Sequence, residues 1–193
     1  MRHRMPAWVG FAFVAAASAG LALPGALLLG AAPVPTASQS ACDNLNTVCA
    51  TSSAVAHADC APVDLVTVHC SGSATVGGSG SSPAGLPGTV RWTGAASCSG
   101  TCGTPASGAT AGAAAWPGLL VNGAGSEGTI VLGPVTQTLL TGCISYTVTA
   151  VADAHAETGV PLPPGVPLLP PLSSVDAPQA QDTATATICG PLG

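Results

Sequence analysis

The sequence predicts an all-β protein: an antiparallel β-sandwich, stapled by disulfides and connected by long Gly-, Ala- and Pro-rich loops. Three observations lead to this fold class. Six or seven short stretches alternate apolar and polar residues with the period of a half-buried strand. Gly and Pro, 25 and 18 of the 193 residues, separate these stretches. No long segment carries the period of a helix.

The alternation places strands over most of the chain after residue 62. Residues 143–152 give the clearest strand, with Ile144, Tyr146 and Val148 on its apolar face. Residues 89–93 form a short strand that turns Val90 and Trp92 to one side, so we expect Trp92 in the core. The remaining predicted strands are residues 65–70, 73–76, 129–132, 135–140 and 183–189.

Three regions lack this pattern. Residues 42–58 are ambiguous, and Asp43 there is suited to cap a short helix. Residues 71–88, around the weak strand at 73–76, and most of 94–128 are rich in small residues and predict loops. Residues 154–182 predict a Pro-rich loop, whose centre should be extended and polyproline-like.

Eight cysteines, all after residue 41, predict a disulfide framework, since an even number in an exported chain reads as pairs. Cys143 opens one strand and Cys189 closes another. If these strands are antiparallel neighbours, the two cysteines lie opposite each other within bonding reach. Proximity alone suggests the remaining pairs, which are Cys98–Cys102, Cys42–Cys49 and Cys60–Cys70.

Residues 1–40 predict a secretory signal peptide, and residues 41–193 a single secreted β-domain. Arg2 and Arg4 precede a long apolar run, which is the pattern of such a segment. Small residues allow a cut after Ser40, or after Ala32 at a poorer site. The apolar run is also long enough for a retained membrane anchor, and Cys42 leaves a lipoprotein as a weaker alternative. Each alternative puts the domain outside the cell, free or associated with the envelope.

The charge of the predicted domain limits its partners. Arg91 is its only basic side chain against eight acids, a formal charge of −7. Nucleic acids and anionic lipid surfaces bind clustered Lys and Arg, so we expect neither as a partner, and no membrane contact after cleavage. The domain keeps only Trp92, Trp116 and Tyr146 as aromatics, so its core must come mainly from aliphatic residues.

The order of a tryptophan strand (Trp92) and a later strand with Cys143 and Tyr146 resembles an immunoglobulin-type domain over residues 62–189. The spacing departs from that family, because Tyr146 follows the cysteine by three residues instead of preceding it by two. The low Lys and high Ala, Gly and Pro content resembles that of secreted actinobacterial proteins.

Two groups of residues suggest chemistry. Asp153, His155 and Glu157 project on one side of an extended chain and could ligate zinc or a similar ion. The alternative is that they mark the exit of a strand into solvent.

A hydrolase would need His57 with Asp59, or Asp64 with His69, beside a nucleophile. The chain has no G-x-S-x-G motif for such a nucleophile.

Trp116 could stand exposed beside Leu119, Leu120 and Val121 and dock a sugar or a protein, or it could pin its loop onto the core. The Pro-rich segment 160–172 could be a recognition arm or a spacer.

These observations favour a secreted or cell-surface, non-enzymatic β-domain with a binding or envelope-structural role. We expect no cofactor, and an unknown protein or carbohydrate partner at the cell exterior. The alternative function is a small secreted hydrolase or metal-binding protein that uses His57, His69 or His155.

Overall fold

The computed structural model describes residues 37–159 and 172–192. Within them the chain forms nine strands and no helix. The strands are β1 (Ala37–Cys42), β2 (Cys49–Pro62), β3 (Thr67–Ser81), β4 (Gly88–Gly100), β5 (Ser107–Trp116), β6 (Gly123–Thr138), β7 (Cys143–Thr158), β8 (Ser173–Asp176) and β9 (Ala180–Cys189). Accordingly, no described helix is of the length and hydropathy that crossing a membrane requires.

The strands form two antiparallel sheets. The first sheet has the order β1-β2-β3-β6, and the second has the order β5-β4-β7, with β8 and β9 both paired to the far edge of β7. β9 pairs with the first ten residues of β7, and β8 pairs with its last four. Every strand pair is antiparallel, which confirms the all-β, antiparallel class predicted from the sequence.

The inner faces of the two sheets enclose one hydrophobic core. Alternate residues of each strand point inward, and Val76, Leu132, Tyr146 and Val148 are almost completely buried. Trp92 is 3% exposed and belongs to this core, as predicted. Alanines of β2 and β7 fill much of the remaining space, which is how an interior with few aromatics reaches close packing.

Glycine residues on β3 let the sheets approach each other. A methyl group at Gly72 would lie 2.5 Å from Val148 Cγ2 and 2.6 Å from a ring carbon of Tyr146. A methyl group at Gly80 would meet the Trp116 ring at 2.8 Å. Gly within a strand often marks such a close approach.

Several strands are longer than the sequence pattern predicts. Residues 71–81, predicted as mostly loop, continue β3 without a break. Most of 94–128, also predicted as loop, belongs to β4, β5 and β6. These small residues have a low strand propensity of their own. They form strands because their backbones hydrogen-bond to neighbouring strands.

Two further predictions need correction. Residues 43–48 form a turn between β1 and β2, and the short helix predicted there is absent. Residues 154–182 are not a continuous loop, because they include the end of β7, all of β8 and the start of β9. The centre of the predicted polyproline stretch, residues 160–171, lies outside the described residues.

Four disulfides join the pairs that the sequence suggests: Cys42–Cys49, Cys60–Cys70, Cys98–Cys102 and Cys143–Cys189. Three of them link residues directly opposite each other in neighbouring strands. The fourth, Cys98–Cys102, lies where β4 ends. Cys143 and Cys189 lie on the outer, Thr-bearing face, where Thr147 and Thr185 hydroxyls hydrogen-bond at 3.0 Å.

One buried carboxylate joins the sheets at the side opposite β5. Asp182 on β9 is 7% exposed. It accepts hydrogen bonds from the backbone amides of Ala56 (2.8 Å) and Thr183 (2.9 Å). Ala56 lies just past the end of the β1–β2 pairing, which stops at Ala54. The Asp182 side chain therefore takes the place of a strand neighbour for the Ala56 amide.

Candidate binding surface at one end of the sheets

The residues predicted to hold a metal ion are placed on one face but bonded to separate partners. The Asp153 carboxylate accepts a hydrogen bond from the side-chain amide of Gln179 at 3.2 Å. His155 Nδ1 lies 2.7 Å from Asp176 Oδ1. Glu157 accepts from Thr89 at 3.2 Å. Among residues 37–159 and 172–192, no group of three or more His, Cys, Asp or Glu residues is arranged to hold a metal ion.

The histidines of the alternative hydrolase are dispersed. His57 is exposed on the outer face of the first sheet, where it lies opposite Ser73. His69 lies four residue pairs further along that face and contacts Thr136 at 3.0 Å. His155 belongs to the outer face of the other sheet. These three imidazoles thus share no cleft in which a nucleophile, a base and an orienting acid could meet.

The acids named with these histidines also have other roles. Asp64 accepts from the backbone amides of Val66 and Thr67 at 2.9 and 2.7 Å and so closes the β2–β3 turn. These bonds, that from Val66 first, lower the pKa of the Asp64 carboxyl. Asp59 is exposed and lies opposite Ser71, two residues along β2 from His57.

Of the two roles considered for Trp116, that of an exposed docking residue is wrong. The side chain is 2% exposed. Its indole N–H donates to the Leu86 carbonyl at 2.8 Å. This residue is an anchor that holds two connections together, which is the alternative role considered from the sequence. The apolar residues that follow Trp116, however, stay in solvent.

These residues belong to a surface that we call the loop end. It comprises residues 43–48, 82–87 and 117–122, together with Gly159 and Leu172. The strand register brings these segments to the same end, because the strand ends that border them lie side by side. In the first sheet Cys49 is opposite Ser81, and Ser81 is opposite Gly123. In the second sheet Gly88 is opposite both Trp116 and Thr158.

Hydrogen bonds brace the connections of the loop end against one another. The buried Ser82 is central. Its hydroxyl donates to the Thr47 carbonyl at 2.7 Å and accepts from the Leu86 amide at 3.1 Å. Its own amide donates to the Asn122 carbonyl at 2.6 Å. One serine therefore ties three connections together.

Asp43 provides a second brace. Its carboxylate accepts from the amide and hydroxyl of Thr47, each at 2.6 Å, and from the Val48 amide at 3.1 Å. It also accepts a hydrogen bond from the hydroxyl of Ser173, the first residue of β8 in the opposite sheet. These bonds, the Ser173 bond first, hold the pKa of the Asp43 carboxyl well below its ordinary value.

The tip of the loop end is a strained turn. Gly118 and Val121 exchange backbone hydrogen bonds at 3.2 Å, so Leu119 and Leu120 are the two central residues. Leu119 has a φ of 55°, in the left-handed region that a bulky side chain avoids. The Leu119 amide donates to the Gly85 carbonyl at 2.8 Å, which fixes the turn. Such strain is held only where surrounding structure imposes it, and it is concentrated at functional sites.

The braced tip presents apolar side chains to solvent. Leu120 is fully exposed, and Leu45, Leu119, Val121 and Leu172 are each more than half exposed. Asp43 is the sole charged residue of the loop end, and its carboxylate is occupied by internal hydrogen bonds. The tip of this surface is therefore apolar, and the one charge of the loop end is held by internal hydrogen bonds.

The opposite end of the sheets also exposes apolar residues, namely Val63, Leu65, Leu140 and Leu192. They are distributed over three separate segments. The acidic Asp64 lies between the first two. The loop end differs because three of its apolar residues are consecutive and no free charge accompanies them.

Sequence reasoning identified part of this surface. The run Leu119-Leu120-Val121 drew attention as an apolar patch, but the binding role was assigned to the neighbouring Trp116. The contributions of Leu45 and Leu172 could not be read locally, because only the register of β2, β7 and β8 places them at the same end.

Comparison with known proteins gives no relative: no protein-family model matches the chain, and no curated protein sequence is significantly similar to it.

Proposed function

We propose that this chain is a secreted or cell-surface, non-enzymatic domain of immunoglobulin-like sandwich architecture that binds a partner through its loop end. The observation that carries the proposal is the strained, braced turn with exposed Leu119 and Leu120. An energetically costly conformation that exposes two leucines is best explained by a surface made to be covered.

The strand order supports the immunoglobulin-like architecture. In such sandwiches strands A, B and E share one sheet, while C, F and G, extended by C′, form the other. In this chain β2, β3 and β6 take the first set of places, and β5, β4, β7 and β9 take the second. In that family a disulfide joins strands B and F. Here β3 takes the place of strand B, and it has Gly72 where it faces Tyr146 and Val148 of β7, so this disulfide has no counterpart.

The same correspondence supports the choice of surface. In immunoglobulin variable domains the B–C, C′–C″ and F–G loops gather at one end and bind the ligand. Two of the equivalent connections of this chain, residues 82–87 and 117–122, belong to the loop end. Of the third connection, which follows β7, the described residues Gly159 and Leu172 belong to it as well.

Export is the second part of the proposal, and four disulfides in a chain of this size support it, because such bonds persist in oxidising compartments. The start of β1 at Ala37 favours a cut before that residue. A cut after Ser40 would remove four of the six residues of β1. The intact mass of the exported protein distinguishes the two.

A binding measurement on intact cells tests the function. The labelled, exported protein is titrated onto cells of its source and onto their isolated envelope. We expect saturable binding that weakens at least about tenfold in the Leu119→Ser/Leu120→Ser variant, because burial of each leucine contributes ~1.5–3 kcal/mol.

Val131→Ser is the matched control, since Val131 is 69% exposed but lies in the middle of β6. Binding by this variant should equal that of the unchanged protein. Saturable binding that is the same in all three proteins would refute the assignment of the loop end. No saturable binding to either material would refute the binding function.

A further inference from the structure

β5 is an open edge of the second sheet. It is the last strand in the order β5-β4-β7, and no other described strand pairs with its far side. Its ten residues, SGATAGAAAW, contain no charge and no proline. Its register with β4 runs from Gly88↔Trp116 to Ser97↔Ser107 without a bulge.

The other edges carry features that discourage pairing with another chain. β6 contains Glu127 and Pro134. β9 turns the charged Asp182 inward, and β1 has only six residues. Short strands, prolines and inward charges are the devices that protect sheet edges from association. β5 has none of them.

The direction of the β5 backbone groups follows from one hydrogen bond. The Cys98 amide donates to the Ala106 carbonyl at 2.7 Å, in register with the β4–β5 ladder. Hydrogen-bonded pairs recur at every second residue of an antiparallel ladder. The amides of the even-numbered residues therefore face β4. Those of Ala109, Ala111 and Ala113 point to the free edge.

We propose that this edge pairs with the same edge of a second copy of the chain, antiparallel about a two-fold axis at Ala111. This register pairs all five odd-numbered residues of β5, whose backbone groups point to the free edge, with those of the second copy. It places Ala109 opposite Ala113 of the second copy and Ala111 opposite its own equivalent. The second sheets of the two copies then form one continuous sheet. Each copy provides hydrogen-bond partners for the open edge of the other.

At the β5 edge, charge opposes a second copy less than elsewhere on the molecule. One basic and eight acidic side chains in the described residues make two copies repel each other. β5 avoids this repulsion because the nearest acid of its sheet with an exposed side chain, Asp153, lies two strands away on β7. The one base, Arg91, lies on β4 directly opposite Ala113.

Side-chain size also fits. The outward residues of β5 are Ser107 and the four alanines at 109, 111, 113 and 115. They place nothing larger than a methyl or hydroxymethyl group beside the new interface. Side chains therefore do not hinder the approach of the two strands to ordinary sheet spacing.

A charge-swap experiment tests the register. Sedimentation velocity of the exported protein, from micromolar to millimolar concentration, should show a monomer–dimer equilibrium. Ala111→Lys and Ala111→Glu should each weaken the dimer about fivefold, because like charges then lie opposite each other across the axis. An equimolar mixture of the two variants should dimerise at least as well as the unchanged protein.

Val131→Lys on β6 is the control and should leave the dimer unchanged. Restoration of the dimer in the mixture also shows that both variants fold, so a loss in each alone cannot arise from misfolding. A monomer at every concentration would overturn the proposal. So would a dimer insensitive to Ala111→Lys or one weakened by Val131→Lys.

Discussion

Asp43 shows how one side chain joins the two sheets at the loop end. The sequence suggested that this residue caps a helix, and it does accept backbone amides, but in a turn between two strands. Its fourth bond, from Ser173, reaches the other sheet. The carboxylate therefore connects the β1–β2 turn to the start of β8.

The lowered pKa of Asp43 predicts a stability change in acid. Because the folded pKa is below the unfolded value of about 3.9, the stabilisation is complete above that pH. It is lost as the pH falls toward the folded pKa. Urea unfolding of the unchanged protein and Asp43→Asn should differ most at pH 7, and the difference should shrink below pH ~4. A difference that stays constant from neutral to acid pH would contradict this role.

Gly72 provides a second prediction at the scale of a residue. Gly72→Ala should destabilise the protein by ~1–3 kcal/mol, since the added methyl overlaps Val148 and Tyr146 in a packed interior. Gly159→Ala is the control, because a methyl there meets no atom of the described residues within 4 Å. Thermal and urea unfolding measure both. Equal stability of the two variants would show that the sheets do not approach as closely as described.

At the scale of the elements, the disulfides divide into long and short closures. Cys143–Cys189 spans 46 residues, and Cys42–Cys49 spans 7. On the chain-entropy model these closures stabilise the fold by ~4 and ~2 kcal/mol. Replacing both cysteines of the first pair by serine should therefore cost about twice as much unfolding free energy as replacing both of the second. The reverse order in urea unfolding would contradict the account.

The sequence allowed prediction of the elements with strong alternation and failed for the others. Residues 143–152 were predicted with the correct buried face, and the Cys143–Cys189 pairing followed from the strand ends. Residues 71–81 and 107–116 were read as loops because Gly, Ala and Ser carry little hydrophobic signal. Their strand structure depends on partners distant in the sequence, such as Trp92, whose ring packs close to Gly112.

The candidate site was less predictable than the fold for the same reason. Leu119-Leu120-Val121 is visible as an apolar run, but the left-handed conformation of Leu119 and its bond to Gly85 are tertiary features. For Trp116 the sequence left two roles open, an exposed docking residue or an anchor of its loop. Its burial depends on space that Gly80 and Gly88 leave for the ring.

At the scale of the whole molecule, two sheets and four disulfides form a frame with exposed apolar side chains at one end. The rest of the domain is acidic and rich in hydroxyl groups. Under the proposed function, the loop end associates with a partner while the acidic surfaces limit non-specific association. The binding function proposed here depends on that contrast, and the dimer at β5 is independent of it.

Site-specific photo-crosslinking on intact cells tests the central claim most directly. A photoreactive amino acid is placed at Leu120 in one protein and at Leu65 in another. Both positions are highly exposed, at 100% and 88%, but they lie at opposite ends of the sheets. We predict one discrete, competable crosslinked product from position 120 and none from position 65. Equal products from both positions, or a product from position 65 alone, would contradict binding through the loop end.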